Sequence, residues 1–357
     1  MSAPGSYCRP RDRWGTFAEL CAELSEGPAL AIADARVLRL HRRVGQALKA
    51  KGVRVLPVTA GESAKSLARV EALARSAADL PRGATVLAIG GGTVGDLATV
   101  FAHLFKRGVG RFIQVPTTTL AAVDSSVGGK GAVNVRGVKN ALGVFHFADE
   151  AWLCPELFST LSEAQRREGR FEALKMAVTL DARTWAAWRA QPPAEQALIR
   201  EARALKDQVV QRDPYETKGL RVVLNFGHTF GHVLETVTGF RLRHGEAVGL
   251  GMLCALDVGC ALRATPREVA EEVETTIFGA GRGGARARLA RALRRTSAAQ
   301  VARLLAADKK SSEGAPRMVL LHGPGRWTTA TVDRATWERC LRAWKQGFQW
   351  GEGEGEA

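Results

Sequence analysis

The chain has 357 residues, 46% of them hydrophobic, and a formal net charge of +15 at pH 7. This length allows two domains, and this much apolar side chain excludes wholesale disorder because cores can be buried. No run approaches the roughly 18 apolar residues of a membrane span, and Met1 to Trp14 lacks a signal-peptide centre, so a soluble, cytoplasmic protein is expected.

The six cysteines, Cys8, Cys21, Cys154, Cys254, Cys260 and Cys340, are scattered without a C-x-x-C pair. That spacing argues for reduced thiols rather than disulfides or a thiolate zinc site. The basic surplus suits either an Arg-rich surface or a negatively charged substrate.

In chain order, residues 1–14 read as an N-terminal tail. Residues 15–155 alternate short β-branched runs with helical patterns. Ala29 to Ala33 predicts a strand with a helix through Ala47, and Val53 to Val58 a second strand with a helix from Ser63 to about Ala78. Val86 to Ile89 and Phe112 to Val115 complete at least four strands. Strands alternating with helices predict an α/β domain on a parallel sheet, with ligands gathered at the carboxyl ends of the strands.

Those ends carry the informative residues. Gly90-Gly91-Gly92-Thr93-Val94-Gly95-Asp96 leads from a strand into a helix, and Gln114-Val115-Pro116-Thr117-Thr118-Thr119 ends another strand in small polar residues. The loop Asp124 to Lys130 follows. Small residues at strand ends expose main-chain N–H groups to an anion, a nucleotide-like site, although G-G-G-x-x-G departs from the dinucleotide spacing G-x-G-x-x-G. Asp96 alone is an acid favoured in a first helical turn, and Glu62 with Lys65 alone is an i,i+3 surface pair.

From residue 156 to 345 helical patterns dominate: Glu163 to Leu180, Pro193 to Val210, Gly227 to Thr236, His244 to Leu262 and Ala285 to Ala307. A helical domain after an α/β domain predicts a cleft between them. The stretch Arg282 to Arg288, continuing to Arg294 and Arg295, lacks the interleaved aromatics of a nucleic-acid surface and reads as a solvated helix face. Residues 346–357, ending Gly-Glu-Gly-Glu-Gly-Glu-Ala, read as a disordered tail.

The second half holds the polar residues without an evident surface role. Glu172 and Lys175 stand at i and i+3 on one helical face, and Arg221, Asn225, His228 and His232 form a stripe that starts just before a helix. His244 opens the next helix, and Asp308-Lys309-Lys310 ends a later one. Histidines with a carboxylate and nothing soft nearby are the ligand set of a catalytic zinc with open positions, and spacing leaves open which two of His228, His232 and His244 bind it. A nucleotide-like site and a His/His/Glu metal among many Lys, Arg and Asn residues suit metal-assisted redox or elimination chemistry on a polyanionic small molecule.

GGGTVGD (90–96), QVPTTTLAAVDSSVGGK (114–130), KN (139–140), EALK (172–175), GLRVVLNFGHTFGH (219–232), HGEAVGLGM (244–252) and DKK (308–310) together resemble the 3-dehydroquinate synthase family of sugar-phosphate cyclases. The resemblance implies an NAD+-binding N-terminal domain, a mostly helical metal-binding C-terminal domain and a homodimer. It implies a zinc ion, or cobalt, on Glu172, His228 and His244. It implies NAD+ along Gly91, Gly92, Thr93, Asp96, Thr117, Thr118 and Leu120, with Asp34, Glu62 and Lys65 near the adenosine. Lys139, Leu157, Thr160 and Leu161 complete that set. The implied catalytic and substrate residues are Asp124, Lys130, Asn140, Lys175, Lys206, Arg221, Asn225, His232 and Lys310, with Arg107 reaching across the dimer. Departures include Phe171-Glu172-Ala173-Leu174-Lys175-Met176-Ala177, where the family has A-E-V-I-K-Y-G. Insertions near Val109-Gly110 and between Asp213 and Arg221 are further differences. The competing readings are an aminodehydroquinate synthase or another sugar-phosphate cyclase, a metal-dependent alcohol dehydrogenase, and a basic nucleic-acid-binding protein.

Overall fold

The computed structural model describes residues 7, 9–136, 138–279, 282–306 and 315–348. The chain divides into two compact units, one running to Gly169 and resuming over Ile199–Thr217, the other comprising Arg170–Leu198 and the residues from Lys218 onward. Sequence patterning predicted one division near residue 155. The structure returns the chain to the first unit through part of the helix Glu195–Arg212.

Ten strands are described: β1 (Arg11–Trp14), β2 (Ala29–Asp34), β3 (Arg54–Val58), β4 (Thr85–Gly90), β5 (Arg111–Pro116), β6 (Lys130–Val135), β7 (Val138–Phe145), β8 (Glu150–Leu153), β9 (Arg317–Gly323) and β10 (Arg326–Thr331). The first unit is built on a six-stranded sheet in the order β1-β8-β5-β4-β2-β3, every pair parallel. Alternation sorts its side chains into two cores, as the period-2 pleat of a strand requires. Leu30, Ile32, Val86, Ala88 and Phe112 join one, and Ala31, Ala33, Leu87, Ile89 and Ile113 join the other. Both faces are covered, so these strands read as continuous apolar runs.

β1 falls within the residues expected as a tail. It is held through Glu150, which is buried on β8 and takes contacts from Arg11 at 2.5 Å, Arg111 at 2.8 Å and Trp152 Nε1 at 2.9 Å. Burial opposes charge on Glu150, but those donors outweigh it and hold the carboxyl below its usual range. β6 and β7 form a separate antiparallel hairpin that carries Lys130, Lys139 and Asn140.

In the second unit the helices Ala182–Ala190, His228–Val237, His244–Ala261, Arg267–Phe278, Arg282–Leu293, Ala298–Ala306 and Arg334–Gln346 accompany the antiparallel β9–β10 hairpin. Glycine sets how closely the central helices approach. A Cβ on Gly251 would lie 2.0 Å from the Gly227 carbonyl oxygen and 2.7 Å from the Gly231 nitrogen, so the two backbones touch beside His228, about two turns along the helix that His244 opens. Phe171 lies against Gly249, where a Cβ would come within 2.8 Å of its ring. The aromatic at 171 therefore packs the helix bearing Glu172 onto the helix bearing His244.

Four expectations are corrected here. The helix expected through Ala47 is two, Ala35–Leu40 and Arg42–Ala50, broken at His41. The expected Ala285–Ala307 helix divides into Arg282–Leu293 and Ala298–Ala306, because Ser297 caps the second at Gln300 N. The polar stripe is not one helix: Arg221 and Asn225 lie on the 3-10 turn Leu220–Asn225, and Gly227 at φ 81° separates it from His228. Arg286 is not on a solvated face. It is buried between Asp257 and Glu274, its Nε 2.9 Å from Glu274 Oε1 and its Nη1 2.5 Å from Asp257 Oδ2. Trp344 Nε1 donates to the same Asp257 oxygen at 2.7 Å, tying the C-terminal helix to the helix of His244.

Substituting Gly251→Ala forces the two glycine-faced helices apart and should cost about 1–3 kcal/mol, the usual range for overpacking. Urea unfolding measures it; an unchanged midpoint would show that this contact does not limit stability.

Candidate active site

In the first unit the helix Gly92–Leu104 begins where β4 ends. Its N-cap, Gly91, has no side chain to occupy the amide groups of the first turn. A Cβ on Gly91 would come 3.3 Å from Thr118 Cγ2, and one on Gly92 3.3 Å from Ser125 Oγ. The turn therefore sits close beneath two hydroxyl-bearing residues. Thr117 N donates to Gly90 O at 2.9 Å and Ala121 N to Thr118 Oγ1 at 3.1 Å, fixing the strand ends to each other. Thr93 and Leu120 lie beside them, both half-buried. Amides, helix dipole and hydroxyls gathered at a sheet's carboxyl edge suit a phosphate-bearing ligand.

Lys65 is the hub of the adjacent network. Its Nζ is buried 2.6 Å from Asp96 Oδ2, 2.6 Å from Asn140 Oδ1 and 4.0 Å from Glu62 Oε1. The simple surface-pair reading of Glu62 and Lys65 is therefore replaced by a buried lysine shared among three partners. Burial pushes the Asp96 carboxyl up, with Lys65 pulling against it. Asn134, which sequence reasoning missed, completes the network: its side chain donates to Glu62 Oε1 at 2.9 Å and accepts from Asn140 N at 2.8 Å. Asn140 holds a left-handed backbone, φ 51°, next to exposed Lys139.

Asp34 ends β2 on the same sheet edge and accepts from Arg36 N at 2.8 Å. Thr160 lies 2.9 Å from His41 Nε2. Leu157 packs into the core with Ile89 and Val115, and Leu161 is half-buried near it in sequence.

Asp124 lies on a π-helical turn, Ala121–Ser125, a local distortion often found at functional positions. Lys206 Nζ reaches both its carboxylate, at 2.7 Å, and its carbonyl, at 2.6 Å. Arg203, buried one turn earlier on the same helix, donates to Ser126 Oγ at 2.7 Å and 2.5 Å to Ala122 O. Lys130 Nζ is 2.5 Å from Glu216 Oε2, and Glu216 has a left-handed backbone at φ 59°. Arg107 follows the far end of the Gly92–Leu104 helix, about 20 Å along its axis from the glycine turn. The single chain does not bring it to that turn.

The second unit assembles the metal-type ligands. Glu172 lies within the helix Glu163–Leu180, while His228 and His244 are the first residues of their helices. One ligand atom from each lies within 4.8 Å of the others. Nε2 of His228 and Nε2 of His244 are each 3.5 Å from Glu172 Oε1. Glu172 is fully buried and neither carboxylate oxygen has a hydrogen-bond partner, though Lys175 forms an ion pair with it. Lys175 offsets the charge of this buried carboxylate, and it is the convergence of two imidazole nitrogens on Glu172 Oε1 that makes a donor set fitting a divalent metal. Lys175 Nζ also donates to Leu224 O at 2.7 Å.

The electrostatics agree with the geometry. Burial opposes charge on Glu172, but Lys175, His228 and His244 outweigh it and hold the carboxyl well below its usual range. Burial and then Lys175 keep His228 neutral, the form that ligates. His244 is desolvated too, yet its contacts with Glu172 and Glu235 outweigh that and raise it to about 10.

His232 is not among the three convergent ligands; its ring centre is 5.5 Å from that of His228 and 6.5 Å from that of His244. Asn225 donates to Val222 O at 3.1 Å, and Arg221 is buried on the same turn. Lys310, with Asp308 and Lys309, lies outside the described residues. Glu235 was missed although it follows His228 by two helical turns, a spacing that places both on one face. Arg203 and Glu216 carried no local signal because their partners are remote in sequence, and Asn134 none because it joins a near residue, Asn140, to a remote one, Glu62.

A parallel-sheet unit with a glycine-turn anion cradle, followed by a helical unit with a Glu/His/His cluster, defines the dehydroquinate synthase-like class. Among solved structures, the fold is similar to 2-deoxy-scyllo-inosose synthase complexed with carbaglucose-6-phosphate, NAD+ and Co2+ (TM-score 0.80, 23% identity, 93% of this chain and 96% of that one). It is also similar to 2-epi-5-epi-valiolone synthase from Streptomyces hygroscopicus subsp. jinggangensis 5008 with NAD+ and Zn2+ bound (TM-score 0.81, 24% identity, 97% and 99%). Residues 55–168 match the 3-dehydroquinate synthase N-terminal family and residues 169–311 the 3-dehydroquinate synthase C-terminal family. The 3-dehydroquinate synthase of Endomicrobium trichonymphae is 36% identical over 329 residues, 88% of this chain and 89% of the relative. The chain belongs to the 3-dehydroquinate synthase family.

His228→Ala and Lys175→Ala should separate ligand from auxiliary. The first should lose bound zinc after dialysis; the second should retain it, because Glu172 is left with only the metal to neutralise it. Elemental analysis decides, and full zinc in His228→Ala would remove that ligand assignment.

Proposed function

We propose that the chain is a 3-dehydroquinate synthase, converting 3-deoxy-D-arabino-heptulosonate 7-phosphate to 3-dehydroquinate and phosphate in the shikimate route to aromatic amino acids. The convergence of Glu172, His228 and His244 beside Lys175, in a chain of this family, carries the reading. The first unit would hold NAD+ and the second a zinc or cobalt ion, in a soluble cytoplasmic homodimer. Bound there, NAD+ would supply reversible hydride acceptance for C5, and the divalent ion would supply Lewis-acid polarisation of the neighbouring hydroxyls.

The chain's own residues bind and orient. The amide-rich turn Gly91-Gly92-Thr93, with Thr117 and Thr118, suits the dinucleotide pyrophosphate, and Asp34 at the end of β2 suits its adenosine ribose. Lys65, ordered by Asp96, Asn140 and Glu62, keeps that wall in register. In the proposed assignment Glu172, His228 and His244 hold the metal, and Lys175 and Asp124 orient hydroxyls close to it.

Lys130, Asn140, His232 and Lys310 are assigned to the phosphate that leaves, with Arg107 supplied by the other subunit. Their positive and donor character stabilises charge as the C7–O bond breaks and the C6 proton departs, the leaving phosphate itself being a suitable base. Arg221, Asn225 and Lys206 are assigned to the carboxylate, which a buried guanidinium pairs well. Ring opening and an intramolecular aldol closure then give the carbocycle with no net oxidation.

The decisive assay follows phosphate release from 3-deoxy-D-arabino-heptulosonate 7-phosphate with NAD+ and Zn2+. Expected are chelator-sensitive release, 3-dehydroquinate as product and no net absorbance gain near 340 nm. Stoichiometric NADH would mean a dehydrogenase instead. Absence of release while NAD+ and metal stay bound would move the assignment to aminodehydroquinate synthesis or another sugar phosphate.

A further inference from the structure

Both histidines of the metal cluster turn the same ring atom inward. Nε2 of His228 and Nε2 of His244 face Glu172 Oε1, each at 3.5 Å, which leaves each Nδ1 facing away. For His228 that outer nitrogen is 3.4 Å from the carbonyl oxygen of Phe226. A carbonyl only accepts, so Nδ1 there carries the hydrogen and Nε2 keeps its lone pair.

His244 opens its helix and has no carbonyl in this role among its described contacts. Its Nδ1 instead lies 3.5 Å from Oε1 of Glu235, a carboxylate only 7% exposed on the neighbouring helix His228–Val237. Burying a carboxylate is costly, and placing one against the outer nitrogen of an imidazole gives that cost a counterpart. A carboxylate behind a histidine fixes the tautomer, holds the ring plane and makes the inner nitrogen a better donor.

We propose that Glu235 is a positioning residue that sets His244 as an Nε2 ligand and strengthens metal binding through its negative charge. The charge matters because Lys175 already offsets Glu172. Without Glu235 a dication would add its full charge to a neutral, buried pair. With Glu235 nearby, one of those two charges is balanced. The proposal rests on the metal reading of the Glu172, His228 and His244 cluster and goes beyond it by assigning a residue that is not a ligand.

The test compares full-length wild type with Glu235→Gln and Glu235→Ala. Glu235→Gln keeps the shape and an oxygen that can accept from Nδ1 but removes the charge. Zinc affinity is measured by titration against a competing chelator, and the visible absorption of the Co2+-loaded proteins reports ligand geometry. Glu235→Gln should weaken zinc by about tenfold and Glu235→Ala by about 10–100-fold, the range for second-layer partners of metal ligands. The Co2+ band should shift in both. The unfolding transitions of the metal-free proteins separate this from simple misfolding, and Glu235→Gln should keep a single cooperative transition. Zinc affinity of Glu235→Gln within twofold of wild type, with an unshifted Co2+ band, would overturn the role given to Glu235. Folded wild type that takes up no zinc at all would instead overturn the metal reading on which it rests.

Discussion

A fully buried carboxylate, Glu172, is the group the second unit is arranged around. Left alone it would carry a desolvation cost of several kcal/mol and would protonate instead. The surrounding elements prevent that by presenting Lys175 from one turn later and two imidazoles from the starts of separate helices. Each of those positions demands close backbone approach. That is why Gly227, Gly231, Gly249 and Gly251 fall where helices meet, and why Phe171 can lie flat against the helix of His244.

The first unit depends on a different constraint, the exposure of main-chain amides at the carboxyl edge of a parallel sheet. β4 and β5 end together, Thr117 N is tied to Gly90 O, and glycine at 91 and 92 leaves room for Thr118 and Ser125. Around this edge the charged residues are held by one another: Lys65 by Asp96 and Asn140, Asp124 by Lys206, Lys130 by Glu216. Such pairing compensates the charges of these side chains and fixes their positions.

The clamp of Arg286 between Asp257 and Glu274 belongs to the same economy of buried charge but serves stability. Its Asp257 lies on the helix of His244, its Glu274 and Arg286 on two further helices of that unit, and Trp344 adds a fourth. Arginine-rich sequence alone suggested a solvated face. Burial decided otherwise for this one residue, because acids on two neighbouring helices converge on it.

By itself the sequence determined the parallel α/β first unit and the glycine turn, and it marked Glu172 with three histidines as metal-type residues, while leaving open which two of His228, His232 and His244 converge with the carboxylate. These features are written in local periodicity, in runs of small residues and in short motifs that survive without knowledge of distant contacts. It did not determine β1 as an edge strand, since four residues with no apolar alternation become a strand only by pairing with β8, about 140 residues later. Nor did it reveal that Lys65 is buried, that Asn134, Arg203 and Glu216 order the residues around them, or that Glu235 stands behind His244. Those facts are relations between groups far apart along the chain or on different helices, and only packing, which fixes which charges share a low-dielectric space, could decide them.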